Sequence, residues 1–323
     1  MIEIQTLKCE DLGFEVARYK FSPGDKDDII QINPENIRSI LTYLSKKATG
    51  MVVMANKAVE ILRNDYGISN ENIKVIPHGI HHVEYEDCKI QKEKLGYQDK
   101  ILLSSFGLIS GSKNYETIIK SLPDVVKQHP NLLYLILGQT HPGILKDEGE
   151  KYRNSLQVLI DELGLQNHVK FVNKYLELDE LLNYLKASDI FLMSGHGISQ
   201  ITSGTLVYAL GCGTPVISHP FLHAQEAINS ERGILVNLGD SESYKEAILK
   251  LAGNPELRKS MSNPEQKEVD TSGKSAPSRP GVSGQESAQT VYSTNPGEPI
   301  NPALSDELSK KFQISSPEED TTS

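Results

Sequence analysis

The sequence predicts an α/β protein built on a Rossmann-like, doubly wound parallel sheet. Three observations lead to this fold class: short apolar segments recur through residues 50–261, amphipathic segments of helical period separate them, and most apolar segments lack polar alternation. Strands without alternation are buried on both faces, which is typical of a parallel sheet covered by helices. Strands and helices that alternate at this spacing indicate βαβ units.

The apolar segments and the helical patterns give the expected elements. Eight segments are predicted as strands: residues 51–54, 73–76, 101–106, 132–137, 169–172, 190–193, 215–217 and 233–236. Seven segments have apolar residues at helical spacing. These predicted helices are residues 35–47, 56–65, 114–128, 150–163, 177–187, 203–211 and 241–252. Before them, apolar residues within 1–34 are compatible with two short strands.

The last part of the chain differs in composition. Residues 262–323 hold seven of the sixteen prolines and almost no apolar runs. Such a segment buries too little apolar surface to offset its chain entropy, so we expect it to be disordered. Leu304, Leu308 and Phe312 share one helical stripe within it. This stripe is compatible with a helix that docks on a partner or on the domain, and also with a transient turn.

Charge and composition exclude several classes of protein. The formal net charge is −10, and an acidic chain lacks the basic surface that a general nucleic-acid binder needs. The three cysteines are far apart and form no CxxC motif, so we expect reduced thiols and a cytoplasmic protein. We see no signal-peptide pattern. No apolar run approaches the roughly 20 residues that span a bilayer.

A loop rich in small residues follows the predicted strand 101–106. Gly107 and Gly111 lie in this loop, and Lys113 follows where a helix is predicted to begin. Loops at the carboxyl ends of parallel strands bind ligands in open α/β sheets. Glycines allow close approach of the backbone, and a lysine at a helix start suits a phosphate. On these residues alone, an ordinary loop with a solvated lysine is an alternative of equal weight to a phosphate site.

A second loop leads into the predicted helix 203–211. Thr202 or Ser203 would cap this helix, and Gly204 leaves room for a ligand at its N-terminus. The free N–H groups and the helix dipole favour a diphosphate there. An ordinary capped helix is the alternative.

Histidines cluster after two of the predicted strands, at positions 78, 81 and 82 and at positions 219 and 223. They lack the spaced cysteine or carboxylate partners of a zinc site. We therefore expect no metal. His196 lies in the loop before the second motif, where it faces either a substrate or solvent.

Taken together, residues 50–262 resemble the group 1 (family 4) glycosyltransferases, and more closely a bacterial and archaeal subgroup. Matching segments occur in the same order along the chain: Val75-Ile76-Pro77-His78-Gly79, Phe106-Gly107-Leu108 with Lys113, Leu137-Gly138-Gln139-Thr140-His141-Pro142, Gln200-Ile201-Thr202-Ser203-Gly204-Thr205, His223-Ala224-Gln225-Glu226 and Arg232-Gly233-Ile234-Leu235-Val236. The resemblance implies a GT-B fold, in which two Rossmann-like domains flank a cleft and the second binds a nucleotide sugar such as UDP- or GDP-hexose.

The resemblance also implies roles for residues at matching positions. Lys113 would contact the diphosphate, Gly107 would let its loop pass close to the donor, and Asn173 and Lys174 would lie near the base. The N-terminus of the phosphate helix would be offered by Thr202, Ser203, Gly204 and Thr205. No metal or other cofactor is implied, because the helix dipole and basic side chains stabilise the leaving diphosphate.

The chain departs from the broader family pattern at several positions. Gln200 and Tyr208 stand where the family has two glutamates, one of which usually holds the ribose, and Leu108 replaces a basic residue. We nonetheless expect Gln200 to act in catalysis together with Lys113, and Tyr208 to bind the donor. Residues 1–49 are too few for an acceptor-binding domain, so we expect a truncated remnant there and the donor domain at 50–261.

Three functional hypotheses follow from the resemblance and the departures. The first is a hexosyltransferase that acts on a glycan or a lipid-linked acceptor. The second is a non-catalytic or half-enzyme binding protein that needs a partner, or a homo-oligomer, to supply the acceptor half. The third is a degraded gene product without activity.

Overall fold

The predicted parallel sheet lies at the centre of the structure, a computed structural model that describes residues 8–9, 14–15, 34–69, 73–80, 83 and 86–262. Its strands in chain order are β1 (Lys8–Cys9), β2 (Phe14–Glu15), β3 (Met51–Val53), β4 (Ile73–Val75), β5 (Ile101–Phe106), β6 (Leu132–Leu137), β7 (Val169–Val172), β8 (Ile190–Met193), β9 (Val216–Ser218) and β10 (Gly233–Leu235). Each of the eight strands predicted from residue 51 onward is confirmed, with ends shifted by one residue at most.

The helices follow the predicted pattern with four additions. They are α1 (Pro34–Lys47), α2 (Asn56–Asn64), α3 (Cys88–Leu95), α4 (Tyr115–Gln128), α5 (Pro142–Glu148), α6 (Lys151–Glu162), α7 (Leu178–Ala187), α8 (Gly204–Gly211), α9 (Leu222–Ala227), α10 (Ser241–Ala252) and α11 (Pro255–Met261). The four helices that were not predicted from the sequence are α3, α5, α9 and α11.

The main sheet has six strands in the order β10-β9-β8-β5-β6-β7, and every neighbouring pair is parallel. The chain starts at the central strand β5, runs outward to β7, and then returns to β8 on the other side of β5. This is the doubly wound order, and the strand order reverses between β5 and β8. Ligands of such sheets bind beyond the carboxyl ends of the two strands at this switch point.

Helices cover both faces of the main sheet. Leu103 lies on one face with side chains of α4, α6 and α10, and its neighbour Leu102 lies on the other face near α3 and α7. Both leucines are fully buried, as are all six residues of β6 or nearly so. Full burial of such a side chain contributes about 1.5–3 kcal/mol, so the continuous apolar strands account for much of the stability.

Helix α3 shows no apolar period in the sequence because the side chains it buries are polar. Its buried side chains are Gln91 and Lys92, whereas Ile90 is largely exposed. Lys92 is buried because its ammonium lies 2.5 Å from the Asp189 carboxylate, which also accepts a hydrogen bond from the Leu102 N–H at 2.7 Å. Arg258 approaches the same carboxylate at 3.6 Å. An ion network therefore holds this helix where apolar periodicity fails.

The segment before the main sheet forms its own small sheet. Strands β3 and β4 are parallel and pair only with each other among the described residues, with α2 as their crossover helix. Helix α2 has no side-chain cap of its own, and Glu226 supplies one. Its carboxylate accepts hydrogen bonds from the Asn56 N–H at 2.9 Å and the Lys57 N–H at 3.1 Å. This bond set ties the small sheet to α9 of the main domain.

Some of the expectations fall outside the described residues. Strands β1 and β2 form one antiparallel pair, which is the described part of the two strands expected in residues 1–34. The expected disorder of the tail beyond residue 262, with its Leu304 stripe, stays a prediction, and the boundary at residue 50 does too. Cys88 and Cys212 form no disulfide.

Candidate functional site

Two glycines open the candidate site at the carboxyl edge of the sheet. Gly107 follows β5 and Gly138 follows the neighbouring β6, with φ angles of 138° and 128° that side chains rarely adopt. A Cβ atom at Gly138 would lie 2.2 Å from the Gly107 carbonyl oxygen. Only glycine fits this approach, and it keeps the floor of the site free of side chains.

Lys113 reaches over this floor from the loop after β5. A Cβ atom built at Gly107 would lie 3.8 Å from the Lys113 Nζ and 3.9 Å from the Thr205 Cγ2, so these groups converge. The lysine ends a short 3₁₀ turn, Gly111–Lys113, and α4 begins two residues later, close to the predicted helix start at residue 114. The Ser194 hydroxyl donates to the Lys113 carbonyl at 2.7 Å and holds the turn against the end of β8.

The environment of Lys113 is desolvated without a counter-charge. Burial lowers the pKa of Lys113 from its usual value of 10.5. Within the described ranges, Lys113 makes no ion pair. A buried cation without a partner is costly, and an anionic ligand would supply the missing charge.

Helix α8 points its N-terminus at the same space. Ser203 caps the helix, as expected, because its hydroxyl accepts a hydrogen bond from the Leu206 N–H at 3.3 Å. The Ser203 hydroxyl also lies 3.0 Å from the Thr205 hydroxyl. The Ser203 N–H is occupied, since it donates to the His223 Nδ1 at 2.8 Å. The positive end of the helix dipole and the Gly204 side of the first turn remain for a ligand.

A third segment, residues 76–80, runs past α8 after β4. A Cβ atom at Gly204 would lie 3.6 Å from the His78 Nε2, and one at Gly211 would overlap the Ile80 side chain at 1.7 Å. Ile80 therefore packs directly on the helix backbone near the C-terminus, and His78 lies beside the first turn. The His78 Nδ1 is 2.7 Å from the Gly79 carbonyl oxygen.

The other residues expected around α8 have different surroundings. Gln200 is exposed, and its side-chain amide donates to the Thr202 carbonyl at 2.9 Å. Tyr208 lies one turn into α8, with its ring edge against Phe106 at a centroid distance of 6.4 Å. Burial raises the pKa of the Tyr208 hydroxyl. Gln200 therefore bonds within its own exposed loop, and Tyr208 packs against the apolar side chain of Phe106.

Asn173 and Lys174 follow β7, two strands away from β5. The pairs Phe106↔Leu137 and Leu137↔Val172 are in register, so the residues after β5, β6 and β7 line one edge. With strands about 4.8 Å apart, Asn173 lies roughly 10 Å from Gly107 along this edge. The Lys174 ammonium is 2.6 Å from Glu180 on α7. Both residues are exposed.

The histidines serve as internal hydrogen-bonding groups in two cases. His223 accepts the hydrogen bond from the Ser203 N–H described above, and burial lowers the pKa of His223. His219 is buried, its Nε2 donates to the Gly197 carbonyl at 3.1 Å, and burial lowers its pKa as well. His81 and His82 lie outside the described residues. In the described part of the chain, no group of three or more histidine, cysteine, aspartate or glutamate side chains is placed to hold a metal ion.

The contacts of His223, Glu226 and His78 were not predicted from the sequence. His223 bonds a residue 20 positions away and Glu226 a residue 170 positions away. Their only signal in the sequence was proximity to a strand end, which names a region and no partner. What the assembled groups can do is electrostatic: one desolvated ammonium and one helix N-terminus can stabilise negative charge that develops on a bound anion.

The fold defines a class, the doubly wound α/β proteins, and the candidate site lies at the topological switch point of the sheet. The particular family follows from the sequence profile described as "Glycosyl transferases group 1", which matches residues 87–268. The chain belongs to this family, and the resemblance seen in the sequence is confirmed.

Individual relatives agree with this assignment. A GDP-mannose-dependent monoacylated alpha-(1-6)-phosphatidylinositol monomannoside mannosyltransferase of Corynebacterium glutamicum is 25% identical over 261 residues, which cover 77% of this chain and 61% of the relative. An uncharacterized glycosyltransferase of Methanocaldococcus jannaschii is 28% identical over 272 residues, covering 77% and 64%. The chain thus spans about three fifths of the length of these relatives.

Solved structures share the fold. The crystal structure of Anabaena HepE in complex with UDP superposes with a TM-score of 0.60 at 20% identity, covering 72% of this chain and 63% of that one. The expected GT-B type of architecture is therefore confirmed. No helix in the described part of the chain is both long enough and apolar enough to cross a bilayer.

Proposed function

We propose that this protein transfers a hexose from a UDP- or GDP-hexose donor to a glycan or a lipid-linked acceptor. The observation that carries the proposal is the convergence of Lys113, Gly107 and Thr205 at the switch point between β5 and β8. A nucleotide sugar bears its two phosphates as a single anionic group. Lys113 has no counter-charge among the described residues, so a diphosphate matches the site in charge.

The proposed catalytic contribution is stabilisation of the leaving diphosphate. When the bond from the sugar to the terminal phosphate breaks, negative charge grows on the phosphate oxygens. Lys113 and the N-terminus of α8 would stabilise this charge more strongly than the charge of the intact donor, which accelerates the reaction. Since an ammonium and a helix dipole supply the positive charge, we propose that transfer needs no metal and no other cofactor.

The proposed donor lies along the sheet edge. The diphosphate would contact Lys113 and the first turn of α8, at Thr202, Ser203, Gly204 and Thr205, and would cross the open floor at Gly107. The base would extend toward Asn173 and Lys174. The edge from β8 to β7 includes three strand spacings, about 14 Å, which suits an extended nucleotide. Gln200 and Tyr208 would face the ribose or the sugar.

The relatives support the nature of the donor. The Corynebacterium relative is named as GDP-mannose-dependent, and HepE was crystallised with UDP and, in a further structure, with UDP-glucose. These names motivate a test with both bases and both sugars.

A second candidate function is a half-enzyme that binds the nucleotide sugar and needs a partner for the acceptor half. The small β3–β4 sheet favours it. In the described residues these strands have no further neighbours, and Val52 and Ile76 expose 64% and 56% of their surface. A two-stranded sheet is marginal by itself, so a partner that extends it would stabilise the protein.

Thermal unfolding of the full chain tests the donor site. We expect one of UDP, GDP, UDP-glucose, GDP-glucose and GDP-mannose to raise the unfolding midpoint selectively. A ligand at 100-fold excess over its Kd adds about 2.7 kcal/mol of stability. Lys113→Met should abolish this rise, because it removes the charge at similar volume. Lys120→Met is the matched control, since Lys120 is an exposed lysine on α4. Absence of a rise with every nucleotide would refute the proposal.

Turnover separates the two candidate functions. Release of free nucleotide from the selected donor is measured with the purified chain, with and without added acceptor glycans and lipids. An enzyme that is complete in itself should release nucleotide alone, and Lys113→Met should stop it. Binding without release would support the half-enzyme.

A further inference from the structure

His78 belongs to the segment after β4 and not to the main sheet. Its Nε2 would lie 3.6 Å from a Cβ atom at Gly204, so the ring edge lies beside the first turn of α8. Lys113 approaches the same turn from the loop after β5. Two basic side chains from separate parts of the chain therefore flank one helix N-terminus.

The position of His78 is fixed by its neighbours. Ile80 packs against the helix backbone at Gly211, where no side chain intervenes. The His78 Nδ1 lies 2.7 Å from the Gly79 carbonyl oxygen, and because a carbonyl only accepts, the proton is on Nδ1. In the neutral ring the Nε2 then has a lone pair and no proton. Nε2 is the atom that faces α8.

We propose that His78 completes the diphosphate site, taking up a proton at Nε2 when the donor binds and donating a hydrogen bond from it to a phosphate oxygen. This inference rests on the proposed function and adds a residue to its site. A phosphate oxygen cannot donate, so an unprotonated Nε2 would repel it. Donor binding is therefore linked to the presence of a proton on the His78 Nε2, the ring nitrogen that faces α8.

Other charged groups surround the ring and affect this linkage. On α9, burial and the charge of His78 lower the pKa of His223, and the Glu226 carboxylate raises it. The His223 Nδ1 accepts a hydrogen bond from the Ser203 N–H and therefore has no proton, so His223 is neutral. Lys113 adds positive charge from the side of β5, and a bound diphosphate offsets both cations. We therefore assign the proton taken up on binding to His78.

Isothermal titration of the full chain tests the assignment, with whichever of UDP-glucose and GDP-mannose the wild type binds. A nucleotide sugar is the right probe because its phosphates are diesters, whereas a free terminal phosphate itself titrates near pH 6, like a phosphomonoester. Titrations at pH 8 and pH 6, each in two buffers of different ionisation enthalpy, give the Kd and the number of protons taken up. The variants are His78→Gln and His78→Leu, with His129→Gln as the control at the opposite end of α4.

We expect wild type and His129→Gln to take up protons on binding and to bind more tightly at pH 6. His78→Gln should lose most of the uptake and the gain at pH 6, and His78→Leu should bind about tenfold more weakly or worse at pH 6, as expected for loss of a charge-assisted hydrogen bond. Equal Kd values and equal proton uptake in wild type and His78→Gln would overturn the inference. If His78→Leu unfolds, the His78→Gln comparison decides.

Failure of the inference is distinguishable from failure of the proposed function. If binding is lost in Lys113→Met and unchanged in both His78 variants, the donor site stands and the role of His78 is refuted. If the wild type binds neither nucleotide sugar, the proposed function and this inference both fail.

Discussion

Gly138→Ala is the sharpest perturbation of the site floor. The new methyl group would lie 2.2 Å from the Gly107 carbonyl oxygen, so the Gly107 backbone must move by about 1 Å to reach an ordinary contact. The φ angle of 128° also strains an alanine by about 1–3 kcal/mol. Forced packing of one methyl group adds about 1–3 kcal/mol. We therefore expect the free energy of unfolding to fall by about 2–6 kcal/mol.

The same displacement should weaken donor binding, because Gly107 forms the floor beneath Lys113. Misplacing a group by about 1 Å at a reacting centre can lower a rate by about 100-fold. We therefore expect the Kd of the donor to rise about tenfold or more. Urea unfolding measures the stability, and isothermal titration measures the Kd of the folded protein.

Two glycine controls separate the causes. Gly233→Ala also meets backbone, the Val216 carbonyl oxygen at 2.0 Å, but at the opposite edge of the sheet. It should lose stability and keep the wild-type Kd. Gly164→Ala has a φ angle of 68° and open space, and should lose only about 1 kcal/mol. A Gly138→Ala protein with wild-type stability, or one that is destabilised but binds normally, would refute the reasoning.

Two further predictions concern buried charges. Lys113→Met should raise the free energy of unfolding of the ligand-free protein at pH 7, because burial lowers the pKa of Lys113 and disfavours its ammonium in the folded state. The gain should shrink as the pH rises from the folded-state pKa towards 10.5, where the amine is neutral in both states; a gain that is independent of pH would contradict this cause. Asp189→Ala should cost about 3–5 kcal/mol by leaving Lys92 buried without its partner. Asp124→Ala, which removes an exposed pair with Lys127, should change the stability far less in the same urea experiment.

The fold was predictable where burial alone determines the pattern. Strand β6 is apolar at every position because helices cover both faces, so its sequence could be interpreted only as a central strand or a buried helix, and its six residues favour the strand. Helix α3 was unpredictable for the opposite reason: its buried face is polar, and Lys92 depends on Asp189, which is 97 positions away. Helix α9 has six residues, too few to show a period.

The candidate site could be predicted in part for a topological reason. Gly107 and Ser203 each follow a strand, and parallel strands bring their carboxyl ends to one edge, so the meeting of their loops follows from the sheet alone. The approach of Gly138 to Gly107 and the position of His78 depend on tertiary contacts between segments far apart in sequence. No spacing rule contains that information.

Because Glu226 of α9 caps α2, hydrogen exchange at two backbone amides of α2 reports on the contact between α2 and α9. The N–H groups of Asn56 and Lys57 are protected only while the carboxylate of α9 stays in place. Whenever α2 separates from α9, both amides are exposed to solvent and exchange their hydrogen for deuterium. Their exchange rates, compared with those of the helix interior, would measure how often the small sheet detaches from the main domain, without any label at the junction.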